Sequence, residues 1–343
     1  MAELGWDGTF AAAFAEVGEP STYPARVVRI DRGMCTVLGP ESARIDTHQP
    51  VAVGDWVVVG PGGQQGDRSE VRAILPRKSA FLRKQAGLQT AEQVVAANVD
   101  TVLLVNALDA TLNIRGIERY LTLGWQSGAV PVAVLTKADL CDEAGLAEAR
   151  ERVASVAIDV DVHVVSARTG LGIDELAAAY LSPGRTVALL GPSGAGKSSL
   201  VNRLAGSDVM AVGAVRDDAK GRHTTTHREL VPLPGRGLLI DTPGMRELAL
   251  WDADEGLVQT FADVEALTGL CRFSDCAHQH EPSCAVRAAI DNGSLDEARF
   301  ENWRSFRREL AVLADRQDGR AAAQANRRRS KDGKQQPPGR KRS

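Results

Sequence analysis

The sequence predicts a multidomain protein: a small OB-like β-barrel, an α/β domain organised around a phosphate-binding loop, and a C-terminal helical module carrying a metal site. Three observations lead there. Five short β-rich runs lie between Ala25 and Leu75. An apolar run, Val187 to Leu190, opens into Gly191-Pro192-Ser193-Gly194-Ala195-Gly196-Lys197-Ser198-Ser199. Three cysteines and a histidine fall at Cys271-x4-Cys276-x-His278-x5-Cys284. At 343 residues, 43% of them hydrophobic, the chain can fill several cores.

Residues 1–21 read as a helical or loose lead-in. They carry Glu3 and Asp7 and lack the basic start and apolar stretch of an export signal. No apolar run approaches membrane-spanning length, so the expected compartment is the cytoplasm, with no membrane partner. The barrel is assigned to 22–85. Its runs, 25–30, 35–38, 43–45, 56–59 and 70–75, are separated by turn chemistry at Asp31-Arg32-Gly33, Gly39-Pro40 and Gly60-Pro61-Gly62-Gly63. Five such strands suit an OB-like fold, which often binds RNA or single strands, or a plain barrel packed on its neighbour. Pro76 to Lys84 reads as a basic connector.

The α/β domain is assigned to 86–250. Apolar strand runs at 100–106, 131–135 and 160–165 alternate with helical patterns at 114–125 and 143–156, which predicts a parallel sheet covered on both faces. Ligand loops belong at the carboxyl ends of such strands. The glycines of 191–199 let backbone N–H groups converge on one anion, and the following helix adds its positive end. The whole stretch is assigned to a nucleoside triphosphate, with Lys197 on the β- and γ-phosphates and Ser198 on Mg2+. Two further strand ends carry Thr136-Lys137-Ala138-Asp139 and Ser166-Ala167. An aspartate here accepts from N1–H and the exocyclic amine of guanine, a donor pair adenine lacks. The lysine stem lies along the base, and a backbone N–H of the Ser-Ala loop meets guanine O6. Thr136 stands where GTP-binding proteins usually have Asn, and its hydroxyl can still tie this loop to the phosphate loop.

Downstream, Gly221-Arg222-His223-Thr224-Thr225-Thr226 is placed like a first switch, with Thr225 assigned to Mg2+ and the γ-phosphate. Leu238 to Ile240 leads into Asp241-Thr242-Pro243-Gly244. Asp241 would hold Mg2+ through water, and Gly244 would give its N–H to the γ-phosphate. Met245 follows, where many GTPases have a water-orienting Gln. An apolar side chain cannot orient water, so intrinsic turnover should be slow. His223 is the hypothesised replacement, with Lys197 and Thr225 completing the catalytic set. Gly194 replaces the Asn of several potassium-activated GTPases, so no strong potassium dependence is expected through it.

The C-terminal module is assigned to 251–316, with helical stretches at 257–267 and 296–314. Three thiolates and an imidazole without a carboxylate suit one closed, tetrahedral, structural Zn2+. Cys271, Cys276 and Cys284 would be joined by either His278 or His280. Five cysteines, an odd number, in a chain read as cytoplasmic argue against a disulfide framework. Cys35 and Cys141 show no partner pattern. Phe300, Trp303, Phe306 and Leu310 recur at helical spacing and read as core. Arg299, Arg304, Arg307 and Arg308 read as a solvated face or an rRNA contact. Residues 317–343 read as a basic disordered tail: Arg327 to Ser343 holds eight basic residues against Asp332, on a chain of net charge −3. Such a tail touches nucleic-acid phosphates or merely solubilises the end.

The base-reading loops precede the phosphate loop, the reverse of most GTPases, so the α/β domain reads as circularly permuted. Its second switch then leads straight into the C-terminal module. This motif order, with a barrel in front and the cysteine cluster behind, resembles the circularly permuted, small-ribosomal-subunit-dependent GTPase family RsgA, also called YjeQ. The resemblance covers roughly residues 22–315. It implies hydrolysis of GTP to GDP and phosphate, stimulated on the small ribosomal subunit during late maturation. It also implies rRNA contacts through barrel, zinc module and tail, and it selects His278 as the zinc ligand. A monomer is the simplest oligomeric expectation. Two other readings stay open: a P-loop ATPase or kinase, which adenine preference would reveal, and a zinc-and-barrel RNA-binding adaptor whose nucleotide site does not hydrolyse.

Overall fold

The computed structural model describes residues 1–31, 33–62, 68–84, 92–109, 112–206, 229–241 and 253–332. After helix α1 (Gly8–Val17) come five strands: β1 (Tyr23–Asp31), β2 (Met34–Leu38), β3 (Ser42–Asp46), β4 (Trp56–Gly60) and β5 (Glu70–Ile74). They close in the order β1-β2-β3-β5-β4-β1, and only β3 and β5 pair in parallel. This is the five-stranded OB-like barrel that the spacing of the β-rich runs predicted. Alternate residues fill it, among them Val27, Val37, Ile45, Val57 and Val71. Strand β4 is buried on both faces because its outer residues, Trp56 and Val58, pack under Phe10 of α1. Asp7 caps α1 through the amides of Thr9 and Phe10.

The basic stretch after the barrel is more than a connector. β6 (Ala80–Lys84) and β7 (Glu92–Ala97) pair antiparallel across the boundary assigned at residue 85. The α/β domain follows as β8 (Thr101–Ala107), α2 (Ile114–Gln126), β9 (Val130–Thr136), α3 (Glu143–Ala154), β10 (Val162–Val164), α4 (Ile173–Tyr180), β11 (Thr186–Leu190), α5 (Lys197–Ala205), β12 (Glu229–Pro232) and β13 (Leu238–Asp241). Its sheet runs β10-β9-β8-β11-β13-β12. All pairs are parallel except β12 with β13. Antiparallel β12 meets β1 at Glu229 and Arg29, which joins sheet and barrel. Successive strand residues serve opposite faces. Leu103 and Val105 pack with α4 and α5, whereas Val102 and Leu104 pack with α2.

The second of these cores continues into the C-terminal module: α6 (Asp254–Thr260), α7 (Ala262–Thr268), α8 (Ala285–Asp291) and α9 (Glu297–Asp332). The single helical stretch expected at 257–267 is broken at Phe261, whose φ of −114° and ψ of 37° are not helical. α9 runs on to Asp332, into the segment expected to be a disordered tail. Its alanines, arginines and glutamines are strong helix formers, so charge alone was a poor guide to order there. Phe300, Trp303, Phe306 and Leu310 are buried, as their spacing indicated.

Helices α2 and α6 meet at Gly256. A Cβ there would lie 2.3 Å from the Thr122 carbonyl oxygen and 2.9 Å from the Gln126 nitrogen, both backbone atoms. Gly256→Ala gains about 1 kcal/mol of helix propensity but forces the helices apart. A net loss of about 2 kcal/mol is expected, read as a lower unfolding midpoint. An unchanged midpoint would show that the contact yields freely.

Candidate nucleotide site and metal centre

Strand β11 is buried along its length, and the chain leaves it at Gly191, where φ is 149°. A Cβ at Gly191 would lie 2.1 Å from the Val105 carbonyl oxygen, so only glycine lets the loop turn this close to β8. Gly196, at φ 83°, starts α5 in the left-handed region. Lys197 is the first helical residue, and its Nζ donates to the carbonyl oxygens of Gly191 and Pro192, both at 2.7 Å. The ammonium thus bridges two carbonyls at the start of the loop. Ser198 and Ser199 occupy the first turn of α5. Pro192, Ser193 and Gly194 are exposed, whereas Ala195 is buried.

Two strands away, β9 ends at buried Thr136. Its hydroxyl donates to the Ala195 carbonyl oxygen at 2.6 Å, tying the two loops together as expected of the residue replacing Asn. Lys137 follows at φ 61° and pairs with Asp109, beyond the end of β8. Asp139 lies in the next turn. Its Oδ1 accepts from Ser166 Oγ at 2.5 Å, and its Oδ2 lies 2.6 Å from Arg168 Nη2. The Ser166 bond, with Arg168 close by, holds the Asp139 carboxyl below the usual range despite some loss of solvent. Ser166 is itself fully buried, and its Oγ also accepts from the Thr169 amide. Residues 136–139, 166–167 and 191–199 therefore gather at the carboxyl ends of β9, β10 and β11. Asp241 closes β13, the parallel neighbour of β11. His223, Thr225 and Gly244 lie outside the described residues, as does the side chain of Asp241.

In the C-terminal module, the Sγ atoms of Cys271, Cys276 and Cys284 and a ring nitrogen of His278 all lie within 4.8 Å of one another. Sγ of Cys271 is 3.9 Å from that of Cys284, and each is 3.5 Å from His278 Nδ1. A tetrahedral zinc with ordinary bond lengths has S–S edges of about 3.8 Å and S–N edges of about 3.5 Å. The donors therefore fit Zn2+ in both chemistry and spacing. His278, rather than His280, joins the cluster. Its ring meets Phe300 and Trp303 edge-on, at centroid distances of 5.9 and 6.2 Å. The Glu281 carboxylate accepts from the amides of Ala277, Gln279 and His280, and its own backbone amide together with these holds its pKa down at about 2. Sequence reasoning missed this loop organiser.

The RsgA GTPase family model matches residues 74–251, more than half of the chain. The chain belongs to the RsgA GTPase family. It is similar to the small ribosomal subunit biogenesis GTPase RsgA of Streptomyces avermitilis, 46% identical over 95% of this chain and 90% of that protein. The protein of the same name from Opitutus terrae is 46% identical over 93% and 92%. Among solved structures, YjeQ from Thermotoga maritima matches with a TM-score of 0.63 and 29% identity, covering 84% of this chain and 99% of that one. YloQ, described as a circularly permuted GTPase, matches with a TM-score of 0.59 and 22% identity, over 88% and 98%, which supports the fold alone. This chain shares that permuted fold, and it is a GTP hydrolase. Among the described residues, no helix is long and apolar enough to cross a membrane.

One group of residues read from the sequence needs correcting in this RsgA-family chain. Arg299 is neither a solvated face nor free for rRNA. It is 6% exposed and lies 2.9 Å from Glu118 of α2 and 2.7 Å from Asp263 of α7. It also donates to the Thr260 carbonyl oxygen and covers the Phe261 ring. Arg307 pairs with Glu265, and Arg304 with Glu301, while Arg308 is exposed. Asp109 and Arg168 were also missed. Both lie just past strand ends, where the search for ligand loops could have found them.

Proposed function

We propose that this GTPase turns over GTP to GDP and phosphate on the small ribosomal subunit during late maturation, in the cytoplasm and as a monomer. The gathering of 136–139, 166–167 and 191–199 at one end of the sheet carries the nucleotide half of this reading. The partner is proposed from relatives named for small-subunit biogenesis, whose similarity extends through barrel and zinc module. Thr136, Lys137, Asp139, Ser166 and Ala167 would read guanine. Gly191 to Ser199, with the Gly244 amide, would hold the phosphates, and Lys197 would neutralise charge on them as it shifts during transfer.

Ser198, Thr225 and Asp241 offer the hard oxygen donors that Mg2+ takes, and Ser198 and Asp241 follow adjacent parallel strands. The ion would supply charge neutralisation at the phosphates. Zn2+ on Cys271, Cys276, His278 and Cys284 would be structural. Barrel, zinc module and basic C-terminus would contact rRNA around the switches.

The test is GTP hydrolysis by the full chain with and without purified small subunits, with ATP as control. Strong stimulation for GTP alone is expected. Equal slow turnover in both cases would remove the proposed partner. His223→Ala should keep nucleotide affinity and lose the stimulated turnover; full stimulation of that variant would rule out His223 as the water-orienting group.

A further inference from the structure

The geometry points to Arg168 as a positioning residue for guanine selectivity, a role that rests on the reading of Asp139 as the base acceptor. To recognise guanine, one carboxylate must meet N1–H and the exocyclic amine together, so both oxygens must lie in the plane of the base. The outer torsion of an aspartate is soft. A carboxylate held through a single oxygen turns out of that plane at little cost.

In this chain Asp139 is held through both. Ser166 Oγ donates to Oδ1, and the Arg168 guanidinium sits on Oδ2. Both braces come from the one loop after β10. Each carboxylate oxygen has a second lone-pair site, so the braces leave room for both guanine donors. Thr136 does not serve as a brace. Its single hydroxyl proton is spent on the Ala195 carbonyl oxygen, whereas the amide of an Asn would offer two donors. The Arg168 side chain is 71% exposed, so it does not act by filling a core. Its positive charge also favours the ionised carboxylate, the form that accepts from guanine.

The prediction concerns selectivity as well as affinity. Inosine lacks the exocyclic amine and engages one carboxylate oxygen, so it depends less on the carboxylate plane. Binding of GTP, ITP and ATP to the full chain would be measured by equilibrium dialysis for wild type, Arg168→Ala, Arg168→Lys and Asp139→Asn. Arg168→Ala should weaken GTP about fivefold, the upper end of what an exposed ion pair supplies. It should change ITP by less than twofold and so compress the GTP-to-ITP preference. Arg168→Lys should recover most of that preference. A GTP-to-ITP ratio within twofold of wild type in Arg168→Ala would overturn the role, as would tighter GTP binding, which would make Arg168 a competitor of the base. Asp139→Asn separates the two levels. If it binds GTP like wild type, the reading of Asp139 fails and takes the role of Arg168 with it. If it loses GTP while Arg168→Ala keeps its selectivity, only the role of Arg168 fails.

Discussion

Arg299→Leu is expected to destabilise the protein by about 3–5 kcal/mol, the usual result of stripping the partner from a buried charge. Arg299 joins two carboxylates from opposite sides of a domain junction. Asp263 of α7 takes Nε and Nη2, both at 2.7 Å, and Glu118 of α2 takes Nη1 at 2.9 Å. Glu118 is fully buried and has one further partner, the Asn302 amide at 2.8 Å. Leucine fills similar space but leaves Glu118 facing apolar neighbours. Asp263 is 31% exposed and can be rehydrated, so Glu118 carries most of the penalty. Urea unfolding of the full chain would measure it, and a loss under about 1 kcal/mol would show that the junction tolerates the unpaired carboxylate.

Acidity modulates the same network. Burial pushes the Glu118 carboxyl from its ordinary 4.5 up to about 7, with Arg299 and Asn302 pulling it back and Asp263 adding to the rise. A carboxyl whose pKa is raised by folding binds more protons in the native state between those two values. Its contribution is therefore fully present below about pH 4.5 and is lost as pH rises through 7. Stability from this group should fall between pH 5.5 and 8, and Glu118→Gln should flatten that slope. For Arg299→Leu the penalty should be larger at pH 8 than at pH 5.5, because a protonated Glu118 is no longer an unpaired charge. The double variant should recover part of the loss, since the two sites act as one unit.

Local signals were enough to find the loops that the fold gathers into the candidate nucleotide site. A buried strand, a glycine-rich turn and a helix start are each written in a few neighbouring residues, and the strand-end rule then located Thr136 to Asp139 and Ser166-Ala167. The barrel was equally readable, because turn residues separate runs of strand length. Arg299 was not. It shares a helix with Arg304, Arg307 and Arg308, and although its spacing from Trp303 and Phe306 puts it on the apolar stripe, an arginine reads as solvated there until its partners are known. Its partner Glu118 is 181 residues away. The β6–β7 hairpin was hidden by the Arg-Lys content of its first strand, which drew attention from Phe81, Val95 and Ala96, the residues it buries. Arg168 and Asp109 escaped for another reason: their roles depend on which side chains the fold brings to Asp139 and Lys137.

Removing the proposed zinc, by chelation or by Cys284→Ser, is expected to unfold the knuckle and α8 while leaving nucleotide binding intact. Four donors close the site, and metal binding contributes about 10 kcal/mol or more to folding in small zinc modules. Here the ion would hold the loop in a conformation that its backbone does not favour. His278 and Ser283 sit at φ 56° and 61°, conformations that cost non-glycine residues of order 1 kcal/mol each. Cys284 caps α8 by accepting from the Arg287 amide. Without the ion nothing offsets that backbone cost, the loop relaxes and α8 loses its cap. The contact of α6 and α9 with α2 does not pass through the metal. It rests on Leu257, Phe261 and Phe306 and on the Arg299 pairs. Hydrogen exchange should therefore rise over residues 269–295 while α2 and α6 stay protected. Loss of protection throughout α2 would show that the zinc module and the GTPase sheet fold as one unit. No change anywhere would show that the Glu281 carboxylate and the aromatic pair beneath His278 hold the knuckle without a metal.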